Sequence, residues 1–299
     1  MKRNKFALLI VANNDYQAER TLAAKQACQE CDAELQIVQT EHDAVMQSQE
    51  VLKLLNSPVE TRPAGVLFEP VGTALEQAAR IAASVGAGWV VLNREVDYLS
   101  ELRRNCATPL FSVTTNHDEV GRIQGEQIAK LLPNGGAMLY IQGPTDNKAA
   151  LRRTAAMQAA KPASVEVRIL KGLWTEVSAF NAVSSWLKLN AAKDVKFGAV
   201  AGQNDAMALG ARRAFHELPA GGERDYWLSL PFLGCDGLPK TGQVYVHRGI
   251  LEATIVTPAN AGRAIKALVT ALNTGQQPPE CILTGASSYP QLASLKPKN

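Results

Sequence analysis

Short apolar runs rich in Val, Ile and Leu alternate along the chain with longer stretches in which apolar residues recur every three or four positions. The short runs predict strands at Phe6–Ala12, Glu34–Val38, Gly65–Phe68, Gly88–Leu92, Leu110–Val113, Ala137–Ile141, Val165–Leu170, Phe197–Ala201, Pro231–Gly234 and Glu252–Val256. The stretches between them predict helices at Gln17–Cys31, Val45–Leu55, Thr73–Val85, Glu119–Leu131, Lys148–Ala160, Val177–Leu189, Ala206–Leu218 and Ala259–Leu272, with apolar stripes such as Val45, Val51, Leu52 and Leu55. This repeated alternation is the signature of βαβ units on parallel sheets. Ten strands exceed what one lobe holds, and 299 residues exceed the ~100–200 usual for one domain, so the predicted class is α/β with two doubly wound parallel-sheet lobes.

Parallel sheets covered on both faces leave ligands a place only beyond the carboxyl ends of their strands. Polar residues cluster there. Asn13, Asn14 and Tyr16 follow the first strand, Glu69 the third, and Asn93 and Arg94 the fourth; Asp146 and Arg153 follow Ala137–Ile141, and Trp174 follows Val165–Leu170. Asn204 and Asp205 come after Phe197–Ala201, Asp236 after Pro231–Gly234, and Thr257 after Glu252–Val256. Loop polarity alone accounts for any one of these, but amides, carboxylates, arginines and two aromatics together match a sugar. Its rim hydroxyls donate and accept, which suits the fork of Arg94 or Arg153, the acceptors Glu69 and Asp236, and the two-way amides Asn14 and Asn204. Its C–H faces suit Tyr16 and Trp174.

Simpler roles compete at several positions. Asp205 and Asp236 could cap helices, Asn13 and Asn14 could form only a turn, one of Arg152 and Arg153 must face solvent, and Trp186 reads as core. Catalytic patterns are missing: neither the P-loop nor G-x-G-x-x-G is present, there is no G-x-S-x-G elbow, and His42, His117, His216 and His247 have no serine or cysteine partner in view and no metal-ligand spacing. No catalytic residue, metal or cofactor is expected. Thirty-one basic residues against 28 acidic ones, without a basic run, disfavour nucleic acid as a partner. Cys28, Cys31, Cys106, Cys235 and Cys281 fit no disulfide framework, and Cys28-x-x-Cys31 falls inside a helix, so these read as small apolar residues. The apolar run Phe6–Ala12 is too short to span a bilayer or to form a signal peptide with its cleavage site.

Three segments carry a resemblance. Gln203-Asn204-Asp205-Ala206-Met207-Ala208-Leu209-Gly210-Ala211, then Gly234-Cys235-Asp236-Gly237, then Leu251-Glu252-Ala253-Thr254-Ile255, resemble the type I periplasmic sugar-binding proteins, ribose binders in particular. Asn13-Asn14, Asn93-Arg94 and Gln142-Gly143 leading to Arg153 extend the likeness over essentially the whole chain. The resemblance implies residues 1–114 with 258–283 as one lobe and 115–257 with 284–299 as the other, joined by hinge crossings near Val113–Asn116, Val256–Ala259 and Leu283–Gly285. It also implies a ligand cleft formed by Asn14, Tyr16, Glu69, Asn93 and Arg94 from one lobe and Arg153, Trp174, Asn204 and Asp236 from the other, with Thr257 at a hinge. Asn93 stands where the family commonly has Asp, Glu69 where ribose binders have Asn, and Thr257 where they have Gln, which favours a sugar or polyol other than ribose.

What the resemblance implies about function is capture of a monosaccharide or polyol by hinge closure and delivery to a membrane ABC permease or receptor, by a monomer. A periplasmic location follows if a signal peptide has been removed, a cytoplasmic one otherwise. The same fold serves as the effector domain of lac-repressor-family regulators, and a ligand-sensing domain is the alternative; only Met1–Lys5 precede the first strand here, too few for a helix-turn-helix.

Overall fold

The computed structural model describes residues 3–72, 75–189 and 195–297. In chain order these form β1 (Lys5–Ile10), α1 (Asp15–Glu30), β2 (Glu34–Gln39), α2 (Ala44–Leu55), β3 (Gly65–Phe68), α3 (Glu76–Ser84), β4 (Gly88–Leu92), α4 (Leu99–Arg104), β5 (Leu110–Thr115), α5 (His117–Leu131), β6 (Gly136–Gln142) and α6 (Lys148–Ala160). Then come β7 (Val165–Lys171), α7 (Glu176–Leu187), β8 (Phe197–Gly202), α8 (Asp205–His216), α9 (Gly222–Ser229), β9 (Phe232–Leu233), α10 (Gly242–His247), β10 (Thr254–Val256), α11 (Asn260–Thr274), β11 (Cys281–Thr284) and β12 (Ser287–Tyr289). The chain divides into two compact units, Met1–Thr115 with Ala259–Thr284, and Asn116–Pro258 with Gly285–Asn299.

The first unit is a six-stranded sheet in the order β11-β5-β4-β3-β1-β2, every neighbouring pair parallel. Its strands are apolar at consecutive positions because both faces are covered. Ala7, Leu9, Phe68, Trp89 and Val91 point into a core with α2, α3 and α4. Phe6, Leu8, Leu67, Val90 and Val113 point the other way, onto Ala24, Ala27 and Cys28 of α1 and Ile265 and Leu268 of α11.

The second unit repeats the plan with a four-stranded parallel sheet, β7-β6-β8-β9, and a separate antiparallel pair, β10 with β12. Leu139, Ile141 and Val200 pack on α7, α8 and Trp227 of α9, while Met138, Tyr140 and Ala201 pack on Ile128, Leu131 and Met157 of α5 and α6. Helices α5 and α6 approach closely because Gly121 has no side chain: a Cβ there would lie 2.3 Å from the Arg153 carbonyl oxygen. That approach fixes the helix that carries Arg153.

Most predicted elements are present with ends shifted by a few residues; the first strand stops at Ile10, Pro231–Gly234 shrinks to a two-residue strand, and the strand predicted from Glu252 begins at Thr254. The start of the predicted helix Thr73–Val85 lies outside the described residues, and its described helical part is Glu76–Ser84. Among the α-helices and strands of the described residues, five have no counterpart in the prediction. Helices α4, α9 and α10 are six to eight residues long, too short to show a period, and β11 and β12 are short edge strands with mixed burial and no continuous apolar run.

Candidate functional site

In the first unit the loops after β1, β3 and β4 bring Tyr16, Glu69 and Asn93 into one hydrogen-bonded cluster at the carboxyl ends of the sheet. Asn14 caps α1, its Oδ1 accepting the Gln17 backbone N–H at 3.0 Å, which starts the helix at once after the strand and places Tyr16 on its first turn. The Tyr16 hydroxyl donates to Asn93 Oδ1 at 3.3 Å, and Asn93 Nδ2 donates to Glu69 Oε2 at 3.3 Å. Asn93 is held with φ +61°, in the left-handed region that asparagine tolerates better than most residues. Its Oδ1 also accepts from Nδ2 of Asn260, the first residue of α11. Arg94 is exposed and forms no ion pair among the described residues.

Behind these residues lies Arg20, fully buried on α1. Its Nη1 sits 2.8 Å from Glu69 Oε2 and donates to Gln17 Oε1 at 3.3 Å, and its guanidinium carbon stands 4.9 Å from the centre of the Tyr16 ring. Burial works against its charge, but Glu69 and the Tyr16 hydroxyl outweigh that and raise its pKa further. Neither Arg20 nor Asn260 was among the residues expected from sequence. A signal existed for Arg20: it lies four positions from both Tyr16 and Ala24, on the apolar side of its helix, where a charge is out of place. Asn260 gave none, since its partner Asn93 is 167 positions away.

The second unit gathers its cluster after β6, β7, β8, β9 and β10. Arg153 is 7% exposed; its Nη1 donates to the Gln203 carbonyl at 2.7 Å and its Nε donates to His117 Nδ1 at 3.3 Å. Since a guanidinium cannot accept, His117 must leave Nδ1 unprotonated. Burial, with the charges of Arg153 and Arg152, lowers the His117 pKa to about 3, so the ring is neutral. Arg152, the neighbour that turns outward, pairs with Asp118. Trp174 stands over Arg153 at 5.6 Å and lays its ring edge against Gly143, where a Cβ would come within 2.6 Å of it. At φ +65° a residue of this bulk is a backbone outlier. Asn204 holds it there, donating from Nδ2 to the Trp174 carbonyl at 2.9 Å while its Oδ1 caps α8 through the Met207 N–H at 2.8 Å. Gln203 braces the floor: its Oε1 accepts from the Gly143 N–H at 2.8 Å, and its Nε2 lies 2.8 Å from the Ala150 carbonyl and 2.9 Å from the Tyr140 and Thr154 hydroxyls.

Asp205 and Asp236 do not serve as helix caps, since the residue capping α8 is Asn204 and the N-cap position of α10 is Thr241. Asp205 accepts from the Thr254 hydroxyl at 2.6 Å and from the Gly237 N–H at 2.9 Å, and tethers β8 to β9 and β10. Burial, then the neighbouring Asp236, pushes its pKa up to about 8. Burial raises Asp236 to about 6 against the opposing pull of Arg153. Asp236 sits at φ +96°, and its carbonyl accepts from the backbone N–H of buried Thr257 at 3.1 Å. Of the six non-glycine residues with positive φ among the described residues, three are Asn93, Trp174 and Asp236, each at a strand end of a cluster. Such strain persists where a site demands it. The lone C-x-x-C has no such setting: Cys28 is buried and its pKa is pushed up to about 11 by desolvation and then by Cys31.

Each cluster taken by itself offers hydrogen-bond donors, acceptors and one aromatic ring, and among the described residues no group of three or more His, Cys, Asp and Glu gathers to hold a metal ion. No described helix is long and apolar enough to cross a membrane. A D-galactose/methyl-galactoside binding periplasmic protein of Haemophilus influenzae is 28% identical over 185 residues, covering 57% of this chain and 53% of that one. The chain spans about half the length of the curated relatives it matches. Among solved structures, a periplasmic solute binding protein of Actinobacillus succinogenes with bound D-allose superposes with TM-score 0.79 at 17% identity, covering 96% of this chain and 97% of that one. A solute binding protein of Bacillus halodurans with bound myo-inositol gives 0.75 at 20%, covering 96% and 94%. The model of the periplasmic binding protein domain matches residues 7–277, and this chain belongs to that family.

Proposed function

We propose that the chain is a non-catalytic solute-binding protein whose two clusters act together on one monosaccharide or polyol. The observation that carries this reading is that each unit, at the carboxyl ends of its own parallel strands, assembles an aromatic ring, an amide, a carboxylate and an arginine: Tyr16, Asn93, Glu69 and Arg20 in one, Trp174, Asn204, Asp236 and Arg153 in the other. In this reading Asn14, Tyr16, Glu69, Asn93 and Arg94 contact the ligand from the first unit, Arg153, Trp174, Asn204 and Asp236 contact it from the second, and Thr257 borders the site. Closing the units over the ligand exchanges its hydration for these groups, and the closed state is favoured only by the contacts it adds. Delivery to an ABC importer, a periplasmic location and action as a monomer belong to the same proposal. The names of the relatives, which bind galactosides, allose and inositol, support it.

The test is a thermal-melt screen of protein unfolded and refolded free of ligand, against pentoses, hexoses, polyols, nucleosides and nucleotides. A ligand at a hundred times its Kd adds about 2.7 kcal/mol to folding, which appears as a raised Tm. A shift with a sugar or polyol is the expected result; a shift with nucleotides alone, or with nothing, would overturn the proposal.

A further inference from the structure

Arg20 is expensive where it stands. Its side chain is fully buried, yet Nε and Nη2 find no hydrogen-bond acceptor among the described residues; only Nη1 is engaged, by Glu69 and Gln17. A buried ion pair of this kind is rarely worth more to stability than apolar residues of the same volume, and buried N–H groups left unpaired cost further. An element that the fold does not need, set at the carboxyl end of β3 where doubly wound sheets take their ligands, calls for a functional reason.

The geometry of Glu69 supplies one. Both its partners, Arg20 Nη1 and Asn93 Nδ2, go to Oε2, at 2.8 and 3.3 Å. Oε1 makes no bond among the described residues, and the side chain keeps 23% of its surface open. The carboxylate is therefore clamped at one oxygen and offers the other, while Asn93 spends its Oδ1 on Tyr16 and Asn260 and one amide hydrogen on Glu69. Between Glu69 and Asn93, Glu69 Oε1 is the acceptor left for a ligand, and a stronger one than the Tyr16 hydroxyl oxygen. It can only accept, so whatever faces it must donate. With Arg20 offsetting much of its charge from 2.8 Å, it attracts an ammonium less than a lone carboxylate would, while its lone pairs repel a carboxylate at contact.

We infer that Arg20 and Glu69 form a specificity element of the first unit: Arg20 is a positioning residue that fixes Glu69 and offsets much of its charge, so that Oε1 selects a ligand presenting an uncharged hydroxyl donor rather than an amino or acid group. The inference rests on the reading of the protein as a sugar or polyol binder and narrows its ligand to the neutral members of that class. Arg20 also backs the Tyr16 ring, which ties the stacking face to the same element.

The experiment compares wild type, Arg20→Met and the double variant Arg20→Met with Glu69→Gln. Each is titrated calorimetrically with a matched panel: D-galactose, D-galactosamine and D-galacturonate, and myo-inositol beside an amino-inositol. Circular dichroism and Tm report folding. Wild type is expected to prefer the neutral member of whichever set it binds. Arg20→Met leaves Glu69 with an uncompensated charge, so the ratio of amino to neutral affinity should rise by about tenfold or more. The double variant holds no buried charge at the pair; it should fold even if Arg20→Met does not, lose that amino preference, and bind the neutral ligand roughly 10- to 100-fold more weakly than wild type, the loss expected of one hydrogen bond to a charged group. Wild type that prefers the amino or acidic member overturns the inference alone. So does a folded Arg20→Met with an unchanged ratio, or a double variant with undiminished affinity for the neutral ligand. Wild type that binds no sugar or polyol overturns the sugar-binding reading, and the inference with it.

Discussion

In the first unit cation and acid are matched one to one, Arg20 on Glu69 at 2.8 Å, whereas in the second unit the buried guanidinium of Arg153 acts on Asp236, and a second acid, Asp205, stands against Asp236 with no cation of its own among its partners. The matched pair carries its own counter-charge and keeps its shape through one short ion pair and the Asn93 amide. The unmatched set cannot ionise fully, because burial and mutual repulsion oppose a second negative charge, and one carboxyl holds its proton to about pH 8. Two clusters built from the same residue types thus differ in what holds them: geometry in the first unit, protonation in the second.

The largest effect should come from removing the one cation of the second cluster. Arg153→Met takes away the charge that holds the Asp236 pKa down, the bond to the Gln203 carbonyl and the platform under Trp174. Removing one partner from a buried charge network costs about 3–5 kcal/mol. Trp174, Trp186 and Trp227 all lie in the second unit and Trp89 in the first, so tryptophan emission during urea denaturation reports mainly on the unit affected. A midpoint that moves by the equivalent of less than about 1 kcal/mol would show that the acids do not depend on Arg153.

A smaller effect separates the two units by pH. A carboxyl whose folded pKa is raised binds a proton that the unfolded chain has already released, so stability falls as pH rises towards the folded value. Asp236, up to about 6, gives such a fall only on the acid side, where neutral His117, down to about 3, pulls the opposite way because its ring regains a proton on unfolding. Above about pH 6.5 the unfolded ring has only its last half proton to lose, an opposing change of about 0.4 kcal/mol, and Asp205 dominates. Stability of the second unit should therefore drop by about 1–2 kcal/mol between pH 6.5 and 8, within the limit of about 1.4 kcal/mol per pH unit for one proton. Asp205→Asn should flatten that slope. Melting curves at half-unit intervals check both, and a Tm that rises over this window would contradict the shift.

These differences could not be read from the chain, although its general plan could. Apolar runs at 65–68 and 88–92 had to be buried strands, and the polar residues after them had to lie at the carboxyl edge of a sheet, which is where Tyr16, Glu69 and Asn93 meet. Periodicity failed at α4, α9 and α10, which are too short to repeat, and at the edge strand β11, which borrows its order from pairing with β5. The wiring within each cluster was invisible for another reason: it depends on contacts between residues far apart in sequence. The sequence offers Glu69 and Asn93 as candidate ligand groups but does not show that Arg20 clamps one carboxylate oxygen of Glu69, or that Asn93 gives its Oδ1 to Tyr16 and Asn260 and one amide hydrogen to Glu69. Asp205 passed for a helix cap because it opens a helix; only the fold brings Gly237 and Thr254 to its two oxygens.

The finest test of the comparison uses two residues in the same local role. Asn14 and Asn204 each follow a strand, each caps the next helix through Oδ1, and each accepts from the N–H three positions on, at 3.0 and 2.8 Å. They differ at the other end of the amide, where Nδ2 of Asn204 also donates to the Trp174 carbonyl at 2.9 Å. Aspartate caps as well as asparagine but cannot donate. Asn14→Asp should therefore leave stability within about 0.5 kcal/mol, because the cap is all that Asn14 supplies within its own unit. Asn204→Asp keeps its cap and sets a carboxylate against a carbonyl, at a cost of about 1 kcal/mol or more, and frees the loop that holds Trp174 at φ +65°. Thermal melts of the two variants give the energies, and steady-state tryptophan emission should change for the second alone. Equal melting temperatures would mean that the Trp174 carbonyl is held by its backbone path alone, with the Asn204 amide contributing nothing to the strained turn.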